Sequence, residues 1–472
     1  MNWTKELVHD VVLKQRSFFK SGVTHDVNWR IAQLKKLRDG LIKNHEKFEE
    51  ALHADLGRSN AEAYFCDVGS VIAECNETIK GLKKWSKPET HFSGLVSFPS
   101  IFTKVYKIPY GCTLIVAPFN FPFLLSLGVL ICAIGGGNTA VIKMSSKSVN
   151  CTKYLMEFIK ETYPEDFVTV IDGGHDVADW CLEERFDKIF YTGSPNVAKH
   201  VMSLASNNLT PVALELGGET GNWAIIRKDA DIKDAARKIA FAKICNSGQI
   251  CININQVAVA SEIADEFIKE LKNQIISQIG ENPINNPEYP KLISSGAFRG
   301  CKEEAEKYKD RIVFGGQFNE STNQFSTTVI YPVDINEGIV QHELFNPLLP
   351  VVKYKDDEIN ELIKTIEDRE HGLALYIFTK DIKWAKKTMS RMQFGSGCIN
   401  DVIMQILVKG APFNGVGHSG MGAYHGEWGF REFTHPSTVL IGSTKFNLPL
   451  RNHPYTGEEG KKKFNLIKKF LK

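Results

Sequence analysis

Three short segments bring together residue types that could perform covalent and acid–base chemistry. Asn246-Ser247-Gly248-Gln249-Ile250-Cys251 is a turn-prone run that ends on a thiol just before a β-rich stretch. A thiolate attacks carbonyl carbon well, nearby backbone amides would lower its pKa, and a loop lets substrate reach it. The same spacing also suits an inert buried cysteine. Leu214-Glu215-Leu216-Gly217-Gly218 sets a carboxylate at the end of an apolar strand, a setting that raises its pKa and suits a general base. A capping or ion-paired glutamate fits those residues as well. Ala117-Pro118-Phe119-Asn120-Phe121-Pro122 brackets one amide with prolines and aromatics, so Asn120 is either a rigid oxyanion donor or an asparagine closing a turn.

Other segments suit binding. Tyr191-Thr192-Gly193-Ser194-Pro195 runs from a strand into a helix start, where free N–H groups and the helix dipole favour a phosphate. It is not the Gly-x-Gly-x-x-Gly fingerprint. Glu343-Leu344-Phe345-Asn346-Pro347 and the glycine-rich Pro412 to Gly422 are expected to be site-lining loops. His418 and His425 lack a metal-ligand spacing, and no metal is expected.

These residues need a scaffold. Val23 to Tyr64 has the period of a long amphipathic surface helix, with Trp29, Ile31, Leu34, Leu37 and Leu41 on its apolar side. Short β-rich runs at Thr103 to Lys107, Cys112 to Ala117, Val168 to Ile171, Lys188 to Thr192 and Trp223 to Ile226 alternate with helical stretches. That alternation predicts an α/β fold with largely parallel sheets. A second α/β series follows Gly217-Gly218: helix Asp231 to Lys243, strand Gln256 to Ala260, helix Ile263 to Ile276. Phe121 to Val141 is uncharged but punctuated by Pro122 and Gly135 to Gly137, so it is expected to be a buried helix ending in a glycine turn. Trp85 to Ser100, rich in Pro, Ser, Gly and Phe, interrupts the pattern as an arm reaching another element or subunit.

The chain's 472 residues, 43% hydrophobic with net charge +2, allow two or three cores and lack the basic excess of a nucleic-acid binder. Ten scattered cysteines without a Cys-x-x-Cys pair suit reduced thiols in the cytoplasm, and Met1 to Gln15 carries no signal-peptide apolar run. The tail Gly460 to Lys472 places Phe464, Ile467 and Leu471 among lysines; a solvated helix is preferred over a membrane-surface one.

In this order the motifs Pro-Phe-Asn-x-Pro, Glu-Leu-Gly-Gly, Gly-Gln-x-Cys and Glu-x-Phe-x-Pro resemble the aldehyde dehydrogenase superfamily. The stretch from Asp55-Leu56-Gly57-Arg58-Ser59 to Pro88, with Asn400-Asp401-Val402 and Gly420 to Gly426, is similar to its class 3 branch of fatty and aromatic aldehyde dehydrogenases. The resemblance covers about Val11 to Tyr455. It implies a Rossmann-like cofactor domain (1–84 and 106–216), an α/β catalytic domain (217–410), a small β bridging or oligomerisation element (85–105 and 436–455) and a basic tail (456–472). It also implies a homodimer.

By that resemblance Cys251 is the nucleophile, Asn120 and the Cys251 N–H form the oxyanion hole, and Glu215 activates the hydrolytic water. Lys143 and Glu343 would meet the two riboses of NAD or NADP, Phe345 the nicotinamide, and Gly193, Ser194, Leu216 and Gly217 the rest of the cofactor. The substrate would be an aliphatic or aromatic aldehyde in a tunnel near Tyr64, Phe65, Phe119 and Ile403. The family's Lys-Pro-Ser-Glu reads Lys143-Met144-Ser145-Ser146 here; the missing carboxylate implies that NADP is tolerated. Glu219, where the family often has lysine, is expected to raise the pKa of Glu215. A cysteine-dependent hydrolase on the same fold is the competing reading.

Overall fold

Two parallel sheets dominate the computed structural model, which describes residues 3–94, 97, 100 and 102–471. Part of the arm between Trp85 and Ser100 therefore lies outside the described residues.

The first sheet has the order Gly420–Met421, Val212–Leu216, Lys188–Gly193, Cys112–Val116, Thr139–Lys143, Val168–Ile171. Its five long strands are parallel, and Gly420–Met421 joins antiparallel, pairing Gly420 with Glu215. The second sheet has the order Ile312–Phe314, Thr328–Val333, Leu348–Tyr354, Gln256–Ala260, Trp223–Ile226, Ala374–Phe378, Ser396–Ile399. Only Ile312–Phe314 runs antiparallel there. Strands buried on both faces read as continuous Val/Ile/Ala runs, as in Trp223–Ile226 and Gln256–Ala260. The third sheet is antiparallel: Glu89–Phe92, Phe102–Pro109 and Thr434–Leu440.

The expected helix over Val23 to Tyr64 is Val27–Leu56, started by the Asp26 side chain accepting from the Asn28 amide and stopped by Gly57 at φ 69°. Leu34, Leu37 and Leu41 are fully buried along one stripe. The uncharged run divides: helix Leu124–Gly136, buried on every side, ends at Gly137 (φ 91°), and the rest is the strand Thr139–Lys143. No helix among the described residues is long and apolar enough to cross a membrane. The tail forms the helix Gly457–Phe470, with Phe464, Leu466 and Phe470 exposed.

Asn138 ties three elements at the foot of the first sheet. Its Oδ1 accepts from the Gly111 amide (2.9 Å), and its Nδ2 donates to the carbonyls of Ala133 (3.1 Å) and Phe433 (2.8 Å). Without the amide the Gly111 N–H and the Phe433 carbonyl lose this partner, while the Ala133 carbonyl keeps the Asn138 backbone N–H (3.0 Å). Asn138→Ala is expected to lower the unfolding free energy by about 2–4 kcal/mol, read as the midpoint of urea denaturation; a loss below about 1 kcal/mol would show that the tie is dispensable.

Candidate active site

The carboxyl ends of Cys112–Val116, Thr139–Lys143, Lys188–Gly193 and Val212–Leu216 converge on a cavity of about 580 Å³. Asn120, Lys143, Gly193, Glu215, Cys251 and Glu343 face it, with Ser194, Gly217 and Phe345. Ligands of open parallel sheets bind at this edge. Leu216 instead packs into the core, 4% exposed, so only its backbone faces this side. On the far side of Cys251 lies an apolar cavity walled by Phe65, Phe121, Leu124, Ile250 and Ile403. It shares Phe65, Ser70, Leu124, Ile406 and Leu407 with a wider opening bordered by Tyr64 and Glu74, so the two form one passage from the surface to the thiol. Phe119 faces the cofactor-side cavity, edge-on to Phe345 with ring centroids 5.8 Å apart.

The thiol is delivered by an unusual turn. Helix Ile232–Ile244 ends, and Asn246 (φ 48°), Ser247 (φ 51°) and Gly248 (φ 77°) follow in the left-handed region. Each non-glycine residue there costs about 1–2 kcal/mol, so other bonds must hold the turn. The Asn246 amide donates to Glu62 Oε1 (2.7 Å), and Asn246 Nδ2 donates to the carbonyls of Asn120 (3.1 Å) and Gln249 (2.9 Å). Gln249 Nε2 returns to the Asn246 carbonyl (3.0 Å), and its Oε1 accepts from the Ile293 amide (3.1 Å). Gly248 admits no side chain, since a Cβ would stand 2.2 Å from the Asn346 carbonyl oxygen.

Arg58, fully buried, organises this network. Its guanidinium donates to Asn246 Oδ1 (2.9 Å), to Asp67 Oδ2 (3.3 Å) and to the Asn120 carbonyl, and it lies 4.2 Å from the centre of the Phe121 ring. Asp67 in turn accepts from the Leu124 amide. The Asn120 amide nitrogen spends one proton on the Gln249 carbonyl (3.1 Å) and points its group into the cavity beside Cys251. Asn222 Nδ2 holds the Cys251 carbonyl (2.7 Å) and that of Asn253 (2.8 Å). Arg58 and Asn222 escape sequence reasoning: Arg58 stands in the quoted Asp55 to Ser59 stretch without a visible partner, and Asn222 carries no signal beyond following Gly217-Gly218.

Burial governs the charges. Burial raises the Cys251 thiol to about 12, and the carboxyls of Glu343 and Glu215 add to it, overriding the amides of Ile252 and Cys251 that pull it down. The expected amide-lowered thiol is thus corrected: the amides pull in the expected direction, but burial and the two carboxyls outweigh them. Glu215 is raised well above an ordinary carboxyl by burial and then by Glu432, which matches the direction read from its strand-end setting. Glu219 is not the cause. It is exposed and pairs with His418 Nδ1 at 2.5 Å, while Glu432 approaches from the helix Gly426–Glu432. His425 pairs with Glu74 at 3.2 Å. Glu343 is raised to about 8 by burial, opposed by Lys243.

Both Glu215 oxygens, Glu343 Oε1 and the Thr192 hydroxyl are buried without a protein partner. A Cβ on Gly217 would stand 1.9 Å from Glu343 Oε1, so glycine keeps that carboxyl's place open. Ser194 precedes the helix Pro195–Ser206, whose first amides face the cavity's edge. Lys143 Nζ donates to the Met144 and Gly173 carbonyls (both 2.8 Å) at the same edge. Unspent polar groups, a helix start and a long cleft at strand ends fit a nicotinamide dinucleotide.

Comparison with known proteins agrees. The model of the aldehyde dehydrogenase family matches residues 2–439. The chain is 35% identical over 459 residues to the 4,4'-diaponeurosporen-aldehyde dehydrogenase of Staphylococcus aureus, covering 97% of each. It is 33% identical over 464 residues to aldehyde dehydrogenase family 3 member A2 of Mus musculus, covering 98% of this chain and 94% of that one. The solved substrate-bound state of Staphylococcus aureus AldH superposes with a TM-score of 0.94 at 34% identity over the full length of both chains. The chain belongs to the aldehyde dehydrogenase family, on its class 3 side, and its activity is the NAD(P)-dependent oxidation of an aldehyde.

Proposed function

We propose that Cys251 attacks an apolar aldehyde that arrives through the Phe65–Ile403 passage, and that Asn120 and Glu215 assist the same carbon in turn. The observation that carries this reading is the position of Cys251 at the junction of two cavities, one polar at the strand ends and one apolar. The Cys251 thiol releases its proton to solvent as sulfur bonds to the aldehyde carbon, and Glu215, buried with both oxygens unpartnered, serves the second half of the reaction. The Asn120 N–H₂ and the Cys251 amide stabilise the oxygen that becomes negative. Nicotinamide, when bound, supplies the hydride acceptor. Glu215, ionised, then takes a proton from the water that cleaves the Cys251 thioester and passes it to the departing sulfur, freeing acid and thiol.

Lys143 and Glu343 would hold the ribose hydroxyls, the amides at Gly193 and Ser194 the pyrophosphate, the backbone at Leu216 and Gly217 the nicotinamide half, and Phe345 its ring. Ser145 and Ser146 border the adenosine end where relatives carry glutamate, which supports acceptance of NADP as well as NAD. Residues 1–84 and 106–216 act as the cofactor domain, 217–410 as the catalytic domain, and 85–105 with 436–455 as the bridging element. Phe92, Phe102, Leu440 and Ile441 are exposed on the small sheet and its exit, and they support pairing with a second copy in a homodimer. Ten free cysteines suit a reducing cytoplasm.

Three sets of measurements test this. Cys251→Ala is expected to abolish NAD(P)H formation with hexanal and benzaldehyde; surviving turnover refutes the nucleophile, and wild type inert across a broad aldehyde panel favours the hydrolase. Glu215→Gln is expected to retain a first burst of NAD(P)H while steady turnover drops about 10²–10⁴-fold. Because the folded pKa of Glu215 is raised, its stabilising contribution is present at low pH and lost as pH rises. The melting temperature of Glu215→Gln should therefore gain on wild type from about pH 5 to about pH 8; a constant difference contradicts the buried acid. Third, NADP should bind within about a hundredfold (~2.7 kcal/mol) of NAD, and Ser146→Glu should selectively weaken it.

A further inference from the structure

Two thiols other than Cys251 face each other in the wall of the apolar cavity. Cys66 Sγ and Cys245 Sγ stand 3.7 Å apart, and both border the cavity along with Cys251. They come from unrelated elements. Cys66 lies in the single π-turn Tyr64–Val68, and Cys245 follows the helix Ile232–Ile244, one residue before the left-handed turn. Cys66 is half-buried and so within reach of a small solute, whereas Cys245 is buried. Cys245 Sγ lies 3.6 Å from Glu62 Oε1, a carboxylate oxygen that also accepts from the Asn246 amide. A solvent-reachable thiol, a resolving thiol in contact with it and a carboxylate beside the second form the set that disulfide chemistry needs.

We propose that Cys66 and Cys245 are an oxidisable pair that a hydroperoxide converts to a disulfide, altering the aldehyde passage while leaving the cofactor cleft intact. The Cys66 thiolate attacks the peroxide: an S–O bond forms, the O–O bond breaks, and the alcohol or water leaves with a proton. The Cys245 thiol then gives its proton toward Glu62 and attacks the Cys66 sulfur. The S–S bond forms, the S–O bond breaks, and hydroxide leaves as water with that proton. Two thiols and one hydroperoxide give one disulfide, one alcohol (or water) and one water. Bonding requires the sulfurs to close to about 2 Å. Arg58 holds Asn246 on one side and Asp67 on the other, so the closure falls on the start of the π-turn, Tyr64 to Cys66, where Tyr64 and Phe65 are exposed and Phe65 walls the passage.

The site of modification stands by itself; only its effect on turnover rests on the function proposed above. The test treats the full-length reduced enzyme with hydrogen peroxide and reads non-reduced peptides by tandem mass spectrometry, which separates Cys245 from Cys251 in their shared peptide. A Cys66–Cys245 linkage, lighter than its two peptides by two hydrogens and absent from Cys66→Ala, is expected. Linkages that all involve Cys251, or oxidation of Cys251 with Cys66 and Cys245 left as thiols, overturn the proposal. Cys245→Ser is a second variant that must also abolish the linkage. In the fraction whose Cys251 remains a thiol, hexanal turnover should fall about tenfold or more, since a shift of ~1 Å beside reacting atoms costs up to ~100-fold. NAD binding should be unchanged and dithiothreitol should restore the rate; linkage without any change in turnover refutes the effect on the passage.

Discussion

The Asn120 loop and the turn that delivers Cys251 both hang from one buried guanidinium. Arg58 has no access to water, so its charge must be met by protein groups, and the groups that meet it come from three distant parts of the chain. The carboxyls of Asp67 and Glu62 face it at 3.3 and 3.7 Å, it holds the Asn120 carbonyl, and Asn246 Oδ1 ties it to the turn before Cys251. Removing one partner of such a buried pair costs about 3–5 kcal/mol, because the charge left behind has nowhere to go. The left-handed turn at Asn246 and Ser247 is held against its own strain by these same bonds, so the strain and the charge are one problem with one solution.

A second consequence of burial is a shared bias on the chemistry-bearing groups. Cys251, Glu215 and Glu343 are all pushed towards their neutral forms by the same lack of water. Neutral carboxyls do not repel a thiolate, and a carboxyl with a raised pKa is a stronger base once it does ionise. In the proposed reaction, Asn120 and the backbone amides meet the charge that develops on the aldehyde oxygen. Lys243, wholly buried beside these groups and lowered to about 7, keeps the local balance from depending on a permanent cation.

How much was legible in the sequence follows from the range of each interaction. Local signals were readable: the glycine stop at Gly137, the strand-to-helix passage at Gly193-Ser194-Pro195, and the strands Val168–Ile171 and Trp223–Ile226 lie where their residues suggest. The strand Thr139–Lys143 was hidden because an uninterrupted apolar run shows neither period, and only the turn at Gly137 divides it. The motifs around Cys251, Glu215 and Asn120 pointed at one cavity through a family resemblance, since nothing in six residues says what they will face. Arg58 and Asn246 meet across 188 residues, a pairing no local pattern encodes. The pKa errors have the same origin. Glu219 is near Glu215 in sequence, but Gly218 at φ 87° turns the chain outward, and Glu432 arrives from the far end.

The two cavities explain why Cys251 sits where it does and not deeper in either. A charged dinucleotide needs polar groups and free amides, which an apolar aldehyde would leave unpaired; an aliphatic chain needs a dry wall, which would strip the dinucleotide of partners. Placing both ligands in one chamber would therefore weaken each. The parallel sheet's carboxyl edge supplies the polar half, while helix Leu124–Gly136 and the π-turn at Tyr64–Val68 supply the apolar half. The thiol is the one group common to both cavities that can bond covalently to carbon. In the proposed reaction, an aldehyde carbon bonded to Cys251 stands at the boundary where a hydride acceptor on the polar side would meet it. The turn held by Arg58 is what keeps that boundary in register, so the most buried charge in the amino-terminal helical region determines the geometry of a reaction at the far side of the first sheet.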